Sequence, residues 1–293
     1  MPTPKSLDRI GQLRGLEEFK ALARRLQFVA ENKRKLPMSR IQLPNYLFIE
    51  APGCGVTTHI RMITDLLQEL RLIPFEGDRR CFEWVLDESA FREKDGGFQR
   101  LLDEITIMAG FHSAFKGVIG LELDDWQDRA DAAEFTRLMD LAEDRLGQIL
   151  FIFTVEMRPQ GDPDALIRRL SSEMPLEVVH CPLPSTDDLA LSLGDFLRQR
   201  HFRVSLATIE RLQALLPELA RARAFDGFQT LDNLADEIVY RFCASGERGG
   251  SQLTEPEDVA FIAEPGGYID RLSSRSGRSR RKPIGFQTGG DRQ

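Results

Sequence analysis

The stretch NYLFIEAPGCGVTTHI, residues 45–60, constrains the fold of this chain more than any other part of the sequence. An apolar run ends at Glu50, a glycine-rich turn follows, and apolar residues then recur at helical spacing as far as Leu70. This order predicts a buried strand, a tight turn and an amphipathic helix. Such a turn points backbone N–H groups and the positive end of a helix dipole toward an anion, so the segment predicts a phosphate-binding loop.

The loop departs at two positions from the usual spelling G-x-x-x-x-G-K-[ST], since residues 50–57 read E-A-P-G-C-G-V-T. Glu50 replaces the first glycine and would place negative charge near a polyphosphate. Val56 replaces the lysine that neutralises the β- and γ-phosphates. Three interpretations stay open: a junction with no ligand, weak nucleotide binding, and binding with hydrolysis. The residues predicted to contact a nucleotide are Gly53, Cys54, Gly55, Val56, Thr57 and Thr58, and Thr57 or Thr58 can also reach a magnesium ion.

Strand-like and helical patterns alternate over the first 184 residues. The predicted strands are 45–52, 81–86, 116–126, 148–157 and 176–184. The predicted helices are 11–36, a helix directly after the glycine turn, 97–111, 131–146 and 163–170. Strands that alternate with helices indicate a parallel sheet with helices on its faces, which is an α/β fold.

The pattern changes after Pro184, where only helices are predicted, with Ser185 and Ser205 as N-caps. The expected organisation is an α/β domain over 1–184, a helical domain over 185–245, a linker over 246–270 and a disordered basic tail over 271–293. Within that tail, residues 275–282 could bind nucleic acid or an acidic protein groove.

Asp124 and Asp125 follow the third predicted strand. Ligands of open parallel sheets bind at the carboxyl ends of the strands, which suits Asp124 as a magnesium ligand and Asp125 as the acid that polarises an attacking water. An acidic pair in an ordinary solvated loop is the alternative. A shifted register would put Glu122 and Leu123 in these places and remove the water-activating acid.

Composition excludes several classes of protein. With 42% hydrophobic and 29% charged residues, the 293-residue chain can build a sizeable core, and no stretch is apolar enough to span a membrane. The net charge is −7, yet residues 1–45 hold ten Lys or Arg against four acidic residues. A cytoplasmic protein is predicted, with basic ends that can touch an acidic partner. The four cysteines show no CxxC pair and no accompanying histidine that would complete a metal site, so they are predicted to be free thiols.

Taken together, these stretches resemble the AAA+ ATPase superfamily. The branch they resemble most contains the red-type rubisco activase and the stage V sporulation protein K group. LDRIGQLRGLEEFKALARRL resembles the family's entry segment, and NYLFIEAPGCGVTTHIRMITDLL its Walker A strand, loop and helix. GLELDDW stands at the Walker B position, FIFTVEM resembles the sensor-1 strand, and RAFDGFQTLDNLADEIVYR resembles the lid segment.

The resemblance implies roles for particular residues. Thr154 would stand where a polar residue contacts the attacking water, and Arg169 of ALIRRL would match the arginine finger that completes a neighbour's site in a ring. The sensor-2 positions are Gln229 and Asp232 rather than arginine. Because the lysine and the sensor-2 arginine are both absent, very little turnover is expected.

Three functional hypotheses follow. The first is a degenerate AAA+ protein that binds ATP or ADP with Mg²⁺ weakly or not at all, and acts as a regulatory or assembly subunit in a homo- or hetero-oligomeric ring with a protein partner. The second is an active remodelling ATPase that neutralises phosphates with Arg61 or a neighbour's residue. The third is a DNA-associated AAA+ relative that binds through its basic tail.

Overall fold

The computed structural model describes residues 4–35, 42–73, 81–85, 117–127, 130–143, 149–157, 163–245 and 252–274. The predicted helix over 97–111 and the basic segment 275–282 lie outside the described residues. Among the described helices, none combines the length and the apolar composition needed to cross a membrane.

A parallel sheet of five strands forms the centre of the first domain, as predicted. The strands are β1 (Asn45–Glu50), β2 (Cys81–Val85), β3 (Gly117–Glu122), β4 (Ile149–Glu156) and β5 (Leu176–Cys181). Their spatial order is β2-β3-β4-β1-β5, and every neighbouring pair is parallel. The central strand β1 is buried at all six positions, which explains its unbroken apolar run before Glu50.

Helices cover both faces of the sheet. One face carries α1 (Lys5–Gly11), α2 (Glu17–Lys35) and α3 (Val56–Leu70), and the other carries α4 (Ala133–Glu143) and α5 (Pro163–Glu173). Side chains alternate between the faces, so Tyr46 and Phe48 pack against α1–α3 while Leu47 and Ile49 pack against α4 and α5.

The helix predicted over 11–36 begins only at Glu17, and the helix that precedes it, α1, was not predicted. Between α1 and α2, Gly15 has φ 64° and Leu16 has φ 58°. This left-handed backbone cannot continue a right-handed helix. The apolar periodicity runs through the break because Leu16 still packs into the core between the sheet and α1–α3.

The second domain contains the three predicted helices, α6 (Thr186–Gln199), α7 (Leu206–Leu219) and α8 (Gly227–Ser245). Ser185 and Ser205 cap α6 and α7 as predicted, each accepting a backbone hydrogen bond at 3.1 Å, from Asp188 and Thr208 respectively. A short parallel pairing of β6 (Arg203–Val204) with β7 (Leu253–Thr254), absent from the prediction, joins the two ends of this domain.

Residues 252–274 pack onto the three helices. A 3₁₀ helix (Pro256–Ile262) and α9 (Tyr268–Ser274) bury their apolar side chains in the same core as α6, α7 and α8. This packing differs from the expected linker over 246–270 and the expected disordered tail from residue 271. Elements of seven residues contain too few helical periods to stand out in a sequence.

The helical domain touches the glycine turn of the first domain. The backbone N–H of Phe228, in the first turn of α8, donates a hydrogen bond to the carbonyl oxygen of Gly53 at 3.0 Å. A Cβ atom on Gly227 would lie 2.1 Å from that oxygen, which no side chain tolerates. Gly53 and Gly227 are therefore glycines because two backbones meet there.

We expect Gly227→Ala to destabilise the protein by at least ~2 kcal/mol, because φ at this position is +46° and the added methyl group meets the Gly53 backbone. Denaturant unfolding measures the change. Gly11→Ala is the matched control, since a Cβ at Gly11 meets nothing within 4 Å, and its free energy of unfolding should be unchanged or slightly higher. Equal effects of the two substitutions would contradict the close approach of the domains.

Candidate functional site

The glycine turn leaves the carboxyl end of β1, in the middle of the sheet. Glu50 is level with Glu156 on β4 and with Cys181 on β5. Parallel sheets of this type bind ligands at this edge, where the strand order places neighbouring connections on opposite faces. The loop over 51–55 is therefore the candidate functional site.

The loop has the backbone form of an anion cradle. Gly53 has φ 75° and Gly55 has φ 102°, conformations that favour glycine. Gly55 is the N-cap of α3, and among the described side chains none caps this helix end. The N–H groups of the first turn thus keep the arrangement that binds phosphate.

The side chains at the start of α3 complete the description of the loop. Val56 and Thr57 are the first two residues of the helix, and the structure describes their backbone but not their side chains. Thr58 is exposed. The predicted nucleotide contacts of residues 53–58 and the magnesium contact of Thr57 stay predictions.

Glu50 does not point toward the mouth of the loop, contrary to the expectation that its charge would lie near a polyphosphate. The strand alternation turns its carboxylate to the face covered by α2 and α3, where it is 0% exposed. Its Oε2 accepts a hydrogen bond from Cys54 Sγ at 2.9 Å, and its Oε1 lies 3.5 Å from His59 Nδ1. Three residues that can ligate a metal therefore meet beneath the loop, so the expectation that no histidine accompanies a cysteine was wrong for Cys54.

A second cysteine lies beside this group without joining it. Cys181 is buried on β5, opposite Glu50. Burial raises the pKa of its thiol, and the carboxylates of Glu50 and Glu18 raise that pKa further. Cys181 is therefore a protonated thiol of the core.

Asp124 and Asp125 begin a turn of 3₁₀ helix (Asp124–Trp126) just after β3. Asp124 Oδ1 accepts a hydrogen bond from the Glu156 backbone N–H at 2.7 Å, which ties the turn to the end of β4. The last residue of the strand is Glu122, so the acidic pair lies beyond the ladder. The side chain of Asp125 is outside the described structure, and the proposed roles of both aspartates stay predictions.

Thr154 lies inside β4, level with Phe48 on β1 and Glu122 on β3. It is 1% exposed, and its hydroxyl has no hydrogen-bond partner among the described residues. Its side chain is on the same sheet face as Phe48. Phe48 is two residues before Glu50, where β1 ends and the loop begins. A contact with an attacking water is not tested by this placement.

Arg169 on α5 is held within its own chain. Its guanidinium donates to Glu173 Oε1 at 2.6 Å and to Thr136 Oγ1 on α4 at 3.2 Å. A quarter of the side chain is exposed. To act as an arginine finger, Arg169 would have to leave Glu173 and bind a phosphate in a neighbouring subunit.

The helical domain approaches the loop through the backbone of Asp226 and Gly227. A Cβ on Gly53 would lie 2.3 Å from the backbone carbon of Asp226, so this acidic residue adjoins the turn. Gln229 donates to Asn233 on the exposed side of α8, and Asp232 accepts from Arg200 of the same domain at 2.9 Å. The predicted sensor-2 positions therefore supply no cation.

Sequence reasoning missed two features of this site. One is the cluster of Glu50, Cys54 and His59. The spacing E-x3-C-x4-H across a predicted strand, loop and helix could have indicated it. The other is the contact of Gly53 with Asp226 and Gly227. No local sequence pattern predicts that contact, since the two segments are far apart in the chain.

Comparison with known proteins identifies the fold. No model of a known protein family and no curated protein matches the chain. Among solved structures, two variants of RuvB from Thermotoga maritima match at 14% identity over 87% of this chain, covering 71% and 70% of their own length, with TM-scores of 0.54 and 0.53. PCH-2 from C. elegans matches at 15% identity over 86% of this chain and 69% of its own, with a TM-score of 0.52.

These structures are AAA+ ATPases, and the matches extend over both domains. The nearer branch within the superfamily stays a prediction. The comparisons and the strand order together establish that the chain has the AAA+ P-loop fold, an α/β core followed by a helical domain.

Proposed function

We propose that this protein is a degenerate AAA+ subunit that hydrolyses ATP very slowly or not at all and acts by assembling with a partner protein. The observation that carries the proposal is the composition of the loop. Where a lysine would meet the β- and γ-phosphates, α3 begins with Val56. Removing such a cation from a phosphoryl-transfer site costs several powers of ten in rate.

The surroundings of the loop support the same conclusion. Asp226 and Gly227 contact Gly53 through their backbones, and the predicted sensor-2 positions in the same domain, Gln229 and Asp232, carry no arginine. The same contact joins the two domains at the loop.

Weak binding of ATP or ADP remains part of the proposal. The backbone cradle and the uncapped start of α3 attract an anion by themselves. Mg²⁺ would be held by Thr57 and Asp124, whose hydroxyl and carboxylate oxygens are the ligands that this ion prefers. If the protein hydrolysed ATP, Asp125 and Thr154 would be the residues next to the attacking water.

Arg169 supports a role in a mixed ring. A subunit without its own lysine gains nothing from an arginine finger, yet it can complete the site of a neighbour that retains the lysine. The guanidinium is partly exposed and paired with Glu173, so it can reach a neighbour once this partly buried ion pair opens. A homo-oligomeric ring would instead contain only degenerate sites.

We expect calorimetry with Mg²⁺ to show weak or undetectable binding of ATP and ADP to the native chain. Val56→Lys should tighten binding by about 10- to 100-fold, since a hydrogen bond to a charged group contributes about 1.5–3 kcal/mol. Val56→Met is the matched control, because it lengthens the side chain without adding charge. Tight native binding that the lysine leaves unchanged would contradict the proposed degeneracy.

We expect phosphate release by the native protein to stay at the background rate, and Asp125→Ala to leave it there. The reason is that both the loop lysine and the sensor-2 arginine are missing. A steady-state assay with a coupled phosphate sensor measures the rate. Turnover above background that Asp125→Ala abolishes would show an active ATPase and would reject the proposal in favour of the second hypothesis.

A further inference from the structure

We propose that Glu50, Cys54 and His59 form a zinc site beneath the loop. The three side chains are 0%, 1% and 2% exposed. One ligand atom from each lies within 4.8 Å of the others. The ligands come from the end of β1, from the turn and from the first turn of α3, so an ion at this place would fasten three consecutive parts of the chain.

The distances suit a first-row metal ion. Zn²⁺ binds sulfur at about 2.3 Å and nitrogen or oxygen at about 2.0–2.2 Å, which separates neighbouring ligand atoms by about 3.3–3.8 Å. The Cys54 Sγ to Glu50 Oε2 distance is 2.9 Å and the His59 Nδ1 to Glu50 Oε1 distance is 3.5 Å. Since all three ligand atoms lie within 4.8 Å of one another, side-chain rotations can bring them onto one ion.

Two buried polar atoms point to an additional group. The Cys54 thiol donates to one oxygen of Glu50, but the other oxygen and His59 Nδ1 have no hydrogen-bond partner among the described residues. A buried carboxylate oxygen and a buried imidazole nitrogen without hydrogen-bond partners are costly, so each requires an explanation. A cation between them gives both atoms a ligand bond and neutralises the carboxylate.

The donor set selects the ion. A thiolate, an imidazole and a carboxylate together favour Zn²⁺ over Mg²⁺ and Ca²⁺, which prefer oxygen ligands. The second oxygen of Glu50 or a water molecule would fill the fourth position. On binding, the Cys54 thiol gives its proton to the solvent and becomes a thiolate.

The surroundings keep the site closed. Phe19 on α2 covers the imidazole, with its ring 4.7 Å from that of His59. The ion would therefore enter while the loop folds and would hold the turn in one conformation. This role needs no nucleotide, so the zinc proposal and the proposed function can fail separately.

The test uses the full chain without a histidine tag. Competition with a chromogenic chelator measures the affinity for Zn²⁺ and the number of ions bound, and Co²⁺ serves as a probe, since its thiolate complex absorbs in the near ultraviolet. We expect one Zn²⁺ per chain and a Co²⁺–thiolate band. Cys54→Ser should abolish the band and weaken Zn²⁺ binding by at least ~100-fold. Removing a residue that only hydrogen-bonds to a metal ligand already weakens metal binding by about 10- to 100-fold, and removing the ligand itself costs more.

Cys243→Ser is the matched control, since Cys243 is exposed on α8 and far along the chain from the loop; it should bind both ions like the native protein. Far-ultraviolet circular dichroism of each metal-free variant checks that it folds. Should Cys54→Ser not fold, the native chain decides, because a zinc site requires its unfolding temperature to rise with Zn²⁺. Absence of binding, or a Co²⁺ band that survives in Cys54→Ser, would overturn the proposal.

Discussion

The pairing of β1 with a strand on each side is the constraint on which the rest of the site depends. The hydrogen-bonded registers with β4 and β5 bury the whole of β1 and bring Glu50 level with Glu156 and Cys181. Because β1 is paired on both edges, the turn that follows Glu50 lies in the middle of the sheet, at the carboxyl ends of the strands. The position of the loop follows from the sheet, and the start of α3 follows from the loop.

This arrangement gives the glutamate at the first-glycine position an unusual environment. A carboxylate at the end of a central strand must point to one face or the other, and here it points beneath α3, toward Cys54 and His59. The carboxylate is therefore buried beneath the loop, with one oxygen hydrogen-bonded to Cys54. The substitution of the first glycine by Glu50 therefore creates a buried polar group beneath the loop.

The second domain acts on the same loop from outside. The close approach of Gly53 and Gly227 leaves no room for a side chain at either position, and Asp226 is carried to the turn with them. The site thus has a buried carboxylate below, a backbone contact from the second domain beside it and Val56 at the position of the loop lysine. The proposed assembly role rests on these features and on the partly exposed Arg169.

The sequence by itself determined the α/β class, the parallel sheet, the loop after β1, the helices α6–α8 and their serine caps, because each depends on local periodicity or on a capping side chain. It did not determine the break at Leu16, since the apolar pattern is unaffected by a left-handed residue. It also missed the packing of 252–274 and the position of the Glu50 carboxylate. Those depend on contacts between distant segments and on which face of the sheet a strand residue meets, so only the tertiary structure decided them.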